Sequence, residues 1–201
     1  GSLHAVIAIL SAVIERQRSG QGQYIDISMT DCVATLNSMA AAAVLAGEIK
    51  QYAEQSHLNG ATYYDYYQTL DDRYLSVGSI EPQFMSGLAA VLELPILLEK
   101  GTSFDATDQK LVKQALQEKI KTKTFTEWSS IFAELDVCVE PVLHLDEALT
   151  SPLAKQRQWV VDVPLAEESA QTEAQLACPI KFSRSKMSYQ HIGKKLGEDS
   201  F

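Results

Sequence analysis

The stretch SGQGQYIDISMTD, residues 19–31, carries the change of periodicity on which the fold class turns. Ahead of it, Leu3, Val6, Ile7, Leu10, Val13 and Ile14 recur at helical spacing, and the basic ERQRS followed by two glycines closes that run as a helix end does. Inside it the period drops to two. Ile25, Ile27 and Met29 fall on one face and Tyr24, Asp26 and Ser28 on the other, so a strand is expected. Thr30 then stands where it could cap a second helix running toward Gly47. Helix, strand and helix in this order make an α/β unit, here with an α+β region downstream.

Working outward, residues 48–60 are polar and aperiodic and read as a linker, after which the aromatic TYYDYYQTLDDRYLSVGS begins a second, smaller α/β domain over residues 61–150. LDDR supplies turn residues between two β-prone runs, which predicts a hairpin ending near Ser79. A helix follows Pro82. Another starts between Asp105 and Asp108, a third is expected to be capped by Thr126, VCVEPVL reads as a strand, and LDEAL as a short helix. Residues 151–201 read as a return segment toward the first domain, with strand-like RQWVVDVPL and LACPIKFS separated by an acidic, Gln-rich loop.

Composition narrows the function classes. The chain of 201 residues is 46% hydrophobic, enough to bury a core, and its formal charge of −9 comes without a basic stripe carrying interleaved aromatics. Nucleic acid is therefore not an expected partner. No apolar run reaches the roughly 18 residues of a membrane span. Cys32, Cys138 and Cys178 are odd in number and widely spaced, which suggests neither a disulfide framework nor a zinc site, and a reducing cytoplasm is the expected location. His57, His144 and His191 lack metal-type spacing. Gly1-Ser2 reads equally as a cloning scar or as native sequence.

SGQGQYIDISMTD resembles the Gly-x-Gly-Gln-x-Val-Asp-x-Ser signature of the family III CoA transferases of the CaiB/BaiF type, which include the α-methylacyl-CoA racemases. LNGATYYDYYQT, RYLSVGSIEPQF, KTKTFTEWSSIF, LDVCVEPVL and LGED match further blocks in the same order, so the resemblance runs from residue 3 to residue 199. It implies an interlocked homodimer. It also implies that residues 1–47 are the end of the large CoA-binding domain, most of whose Rossmann-like half would lie upstream together with the family's essential aspartate and the racemases' histidine. Asp26, Asp31 and His4 are not those residues. Coenzyme A is implied as part of an acyl-CoA substrate, with no covalently bound cofactor.

For the racemase branch the resemblance assigns Glu81, in the Glu-Pro-Gln-Phe block, to the substrate region as an auxiliary acid or base, with Tyr64 and Ile80 on the substrate side. Racemisation next to a thioester needs one group to remove the α-proton and another to return it from the opposite face. Glu81 also has a plainer reading, as a carboxylate complementing a helix N-terminus ahead of Pro82. Tyr64 likewise fits hairpin packing as well as ligand contact. Cys138 reads as a buried small hydrophobe, and Lys119, Lys121 and Lys123 as a solvated cluster. Three functions follow from the resemblance: racemisation of 2-methylacyl-CoA, CoA transfer to a carboxylic acid through an aspartyl intermediate, or, for this chain by itself, a non-catalytic folding and dimerisation unit.

Overall fold

The structure, a computed structural model, describes residues 1–47, 56–166, 169–193 and 197. Within these, helices α1 (Ser2–Ser19), α2 (Met29–Leu36) and α3 (Ser38–Leu45) precede strands β1 (Asp65–Gln68) and β2 (Tyr74–Val77). There follow α4 (Pro82–Leu92), α5 (Ile96–Lys100), α6 (Ala106–Ile120), α7 (Phe125–Ala133), β3 (Val139–Pro141), α8 (Leu145–Thr150), α9 (Pro152–Arg157), β4 (Val160–Pro164) and β5 (Thr172–Leu176). The class is mixed α/β. One sheet has the order β1-β2-β3, and β4 pairs antiparallel with β5 from Val160 opposite Leu176 to Pro164 opposite Thr172.

By Cα proximity the chain divides into two compact units. The first comprises residues 1–67, 77–120 and 136–138, the second residues 68–76, 121–135 and 139–201. The first unit has its core where α4, α5 and α6 pack in succession, burying Leu88, Leu92, Leu97, Val112, Leu116 and Ile120 completely. Helix α6 starts because the Asp105 carboxylate accepts from the backbone N–H groups of Thr107 (2.8 Å) and Asp108 (3.2 Å), two donors the helix cannot pair internally. These same bonds hold the Asp105 carboxyl below the usual carboxylate range.

In the second unit Trp128 is buried and stacks on Phe132 one turn along α7, at 5.5 Å between centroids. The turn at Asp71 is tied to the start of α7. Asp71 accepts from the Thr69 hydroxyl (2.6 Å) and from the Phe125 backbone N–H (2.9 Å), and those two bonds, in that order, pull its carboxyl down. Arg73 lies 4.0 Å over the Phe125 ring and binds both carboxylate oxygens of Glu147, at 3.1 and 2.6 Å. Glu147 in turn accepts from the His144 backbone N–H at 2.8 Å, so one carboxylate anchors Arg73 and caps α8.

Several sequence expectations are corrected. Residues 21–28 form no strand: alternation requires a neighbouring strand to make a ladder, and here the segment passes in open conformation with Tyr24 92% exposed. Ser28, not Thr30, caps α2 by accepting from the Asp31 N–H, and the helix expected to run toward Gly47 is broken at Asn37, whose side chain turns back to the Val33 carbonyl. Thr124, not Thr126, caps α7, because Thr124 and Glu127 form a reciprocal capping box. Strand β5 falls in the stretch expected to be an acidic, Gln-rich loop, where TEAQL gains a partner in β4. Most of the expected linker, residues 48–55, lies outside the described residues, as does the LGED block apart from Gly197.

Candidate functional site

Strand β2 does not run directly into α4. Between them residues 78–81 are held peptide by peptide within the first unit. The Gly78 N–H donates to the Cys138 carbonyl at 2.9 Å, the Ser79 hydroxyl donates to the Val137 carbonyl, and the Ile80 N–H closes a tight turn onto the Gly78 carbonyl at 2.9 Å. The Ser79 carbonyl accepts from the Tyr63 hydroxyl. Ser79 and Tyr63 are both buried, so each of these polar groups has exchanged water for a protein partner. A Cβ on Gly78 would stand 3.3 Å from the Tyr64 ring, so a larger residue there would require that ring to shift by a few tenths of an ångström.

Glu81 comes next, at the N-cap position of α4 with extended backbone angles of −73° and 143°. Its side chain makes no cap hydrogen bond, and Pro82 at the first helical position has no N–H to offer. Its backbone carbonyl starts the helix by accepting from the Met85 N–H at 2.9 Å, while the carboxylate is exposed. Glu81 therefore begins α4 through its backbone carbonyl, while its carboxylate stands at the helix N-terminus, where the dipole favours a negative charge, without a hydrogen bond to it. The carboxylate is nevertheless felt by its surroundings: burial first and the Glu81 charge second push the Tyr63 phenol up to about 12.

Of the candidate residues, Glu81, Ile80 and Tyr64 all sit at this strand end, Tyr64 37% exposed and Ile80 half-buried. Tyr63 and Tyr67 share the opposite, buried face. Burial, then the neighbouring Asp65 and Tyr63, pushes the Tyr67 phenol far above its ordinary value. The tyrosine run thus divides by strand periodicity, and that alternation was the available signal that Tyr63 belongs behind the site. Nothing in the sequence marked Gln109. This buried side chain accepts from the Tyr63 N–H at 2.9 Å and donates to the carbonyls of Gly101 (3.0 Å) and Ser103 (2.7 Å).

Other candidates are placed elsewhere. Cys138 is exposed, not buried: a left-handed φ of 50° at the entry to β3 turns its side chain away from the alternation that VCVEPVL suggested. Lys119 pairs with Glu93 at 3.3 Å and the Lys123 ammonium lies 5.7 Å from the Trp128 ring centre, so these two do not act as a purely solvated cluster. Among the described residues there is no group of three or more His, Cys, Asp or Glu able to hold a metal ion, and no helix long and apolar enough to cross a membrane. A hollow of about 440 Å³ in the first unit is lined by Phe104, Gln109 and Lys110. One of about 540 Å³ in the second is lined by Val160, Phe182, Lys186 and Tyr189.

The fold is shared with a CaiB/BaiF family protein from Brucella suis, whose crystal structure superposes with a TM-score of 0.73 at 23% identity over 98% of this chain and 51% of that one. A family model described as CoA-transferase family III matches residues 1–200. The chain belongs to CoA-transferase family III. It is 38% identical over 150 residues to a mouse alpha-methylacyl-CoA racemase, an overlap of 74% of this chain and 39% of the relative. With the human alpha-methylacyl-CoA racemase it shares 32% over 158 residues, 78% of this chain and 41% of the relative. The chain thus spans about two fifths of the length of these curated relatives.

Proposed function

We propose that these residues form part of an enzyme that racemises 2-methylacyl-CoA thioesters by α-proton exchange, with Glu81 in the proton path and Tyr64 and Ile80 on the substrate side. The observation that carries this reading is the separation of roles at Glu81. Its backbone starts α4, yet its carboxylate makes no cap bond and stands exposed at the end of a fixed segment. A carboxylate so presented can accept an α-proton and return it, provided a second group serves the opposite face and donors stabilise the enolate oxygen. Coenzyme A enters as part of the substrate. On the same reading residues 1–47 end a large CoA-binding domain, residues 61–150 form the small domain and residues 151–201 return to the large one, in a cytoplasmic homodimer.

The reading is tested by α-deuterium incorporation into 2-methylacyl-CoA in heavy water, using a version extended upstream to the length of the racemase relatives. Glu81→Gln is expected to lower exchange by about 100-fold or more, the range of general acid–base catalysis. Exchange that survives the substitution would remove Glu81 from the proton path. The family description favours a second reading, CoA transfer between a thioester and a carboxylic acid, in which a nucleophilic aspartate outside these residues forms the intermediate. In that case the extended protein would pass CoA to added carboxylates and show no α-exchange. On either reading the chain of 201 residues by itself is expected to turn over no thioester and to act only as a folding and association unit.

A further inference from the structure

Tyr63 is tied to the segment ahead of Glu81 by more than hairpin packing. Its hydroxyl holds the Ser79 carbonyl, its backbone N–H is held by Gln109, and its own carbonyl accepts from the Tyr67 hydroxyl at 2.8 Å. Its ring is buried and lies against Gly101, where an added Cβ would stand 3.2 Å from it. The Ser79 peptide is gripped at a second point, through the hydroxyl that reaches Val137. Two residues further on the chain must release a carboxylate at the N-cap of a helix whose opening proline fixes the direction of departure.

We infer that Tyr63 is a positioning residue: by fixing the Ser79 carbonyl it sets the direction in which Glu81 leaves the strand end. This rests on the proposed role of Glu81. The phenol touches the peptide and not the substrate, so its loss acts on the rate of proton exchange and not on thioester binding. A displacement of about 1 Å at a reacting group suffices for a loss of about 100-fold. Tyr63 also stays a neutral donor at every pH at which the protein would work, since its ionisation lies near 12.

The test is a double-mutant cycle in the extended protein, with Tyr63→Phe, Glu81→Gln and the pair. Tyr63→Phe is expected to lower kcat for α-exchange by about 10- to 100-fold with KM within about twofold. In the Glu81→Gln background it should lower kcat no further, because nothing is left to aim. Losses that multiply, an effect confined to KM, or an unchanged kcat would each overturn the inference.

Should Glu81→Gln itself leave exchange intact, the proposed function fails, and the positioning claim is then decided on the chain as it stands by amide hydrogen exchange at Ile80. Faster exchange there in Tyr63→Phe than in Ser129→Ala, after matching both for global stability, supports it, and equal protection overturns it. Ser129→Ala serves as the reference because, among the described residues, that hydroxyl bonds the Phe125 carbonyl one turn back in α7 and not residues 78–81.

Discussion

Helices α1 and α4 make an instructive pair. Both lie in the first unit and both carry apolar residues at helical spacing, but α4 buries Met85, Leu88, Ala89 and Leu92, whereas α1 buries none of its residues and leaves Leu3 78% and Ile7 62% exposed. Helices α2 and α3 resemble α1, with Cys32 their only residue classed as buried and Met39 81% exposed. Periodicity thus tells which face of a helix will be covered, and the covering itself depends on what packs there. An apolar surface as continuous as that of α1 is a face that ordinarily packs on something.

That contrast can be broken by equivalent substitutions on its two sides. Leu88→Ala, at a fully buried site, should lower the free energy of urea unfolding by about 2–5 kcal/mol. Leu10→Ala, at a site 58% exposed, should change it by no more than about 0.5 kcal/mol when measured at a protein concentration low enough to keep the chain monomeric. Equal losses would mean that α1 is covered in solution. Next in size comes Gln109→Ala, which strips partners from the Tyr63 N–H and the Gly101 and Ser103 carbonyls and should cost about 2–3 kcal/mol by the same assay.

The uncovered side is sharpened by sedimentation. Self-association through α1 to α3 is expected, and Ile7→Asp should weaken it by at least about tenfold, since an aspartate cannot be buried unpaired. A monomer at high concentration before any substitution would show that the exposed face is tolerated as it is. The smallest effect belongs to Glu147. The Arg73 hydrogen bonds first, and the His144 N–H second, hold its carboxyl below its ordinary value of 4.5. A group depressed on folding stabilises the native state above its unfolded value and ceases to do so as pH falls through the folded one. Glu147→Gln should therefore lower the melting temperature slightly at pH 7, and the difference should shrink as pH falls below 4.5. A loss that stays the same size as the pH falls would assign the effect to packing.

Legibility in the sequence followed the range of the interactions. The hairpin at residues 65–77 and the start of α6 are built from neighbours in the chain, and their turn and cap residues announced them. The cap of α7 was displaced by two residues because Thr124 and Thr126 are equivalent as letters, and only the reciprocal bond to Glu127 separates them. Residues 21–28 and β5 were misread for a longer-range reason, since a strand exists only where another strand lies beside it. Glu81, Ile80 and Tyr64 were grouped by the family resemblance, which spans blocks far apart in the chain, and not by periodicity or spacing. Nothing in the sequence brought Tyr63 and Gln109, 46 residues apart, together.

The chain has two tryptophans, and both belong to the second unit: Trp128, buried against Phe132, and Trp159, 38% exposed. Intrinsic fluorescence excited at the red edge is accordingly blind to the first unit, where Tyr63 and Glu81 reside. A denaturation curve followed by emission and one followed by helical circular dichroism sample different parts of the polypeptide, so coincidence of the two midpoints would establish that the units melt as one cooperative body.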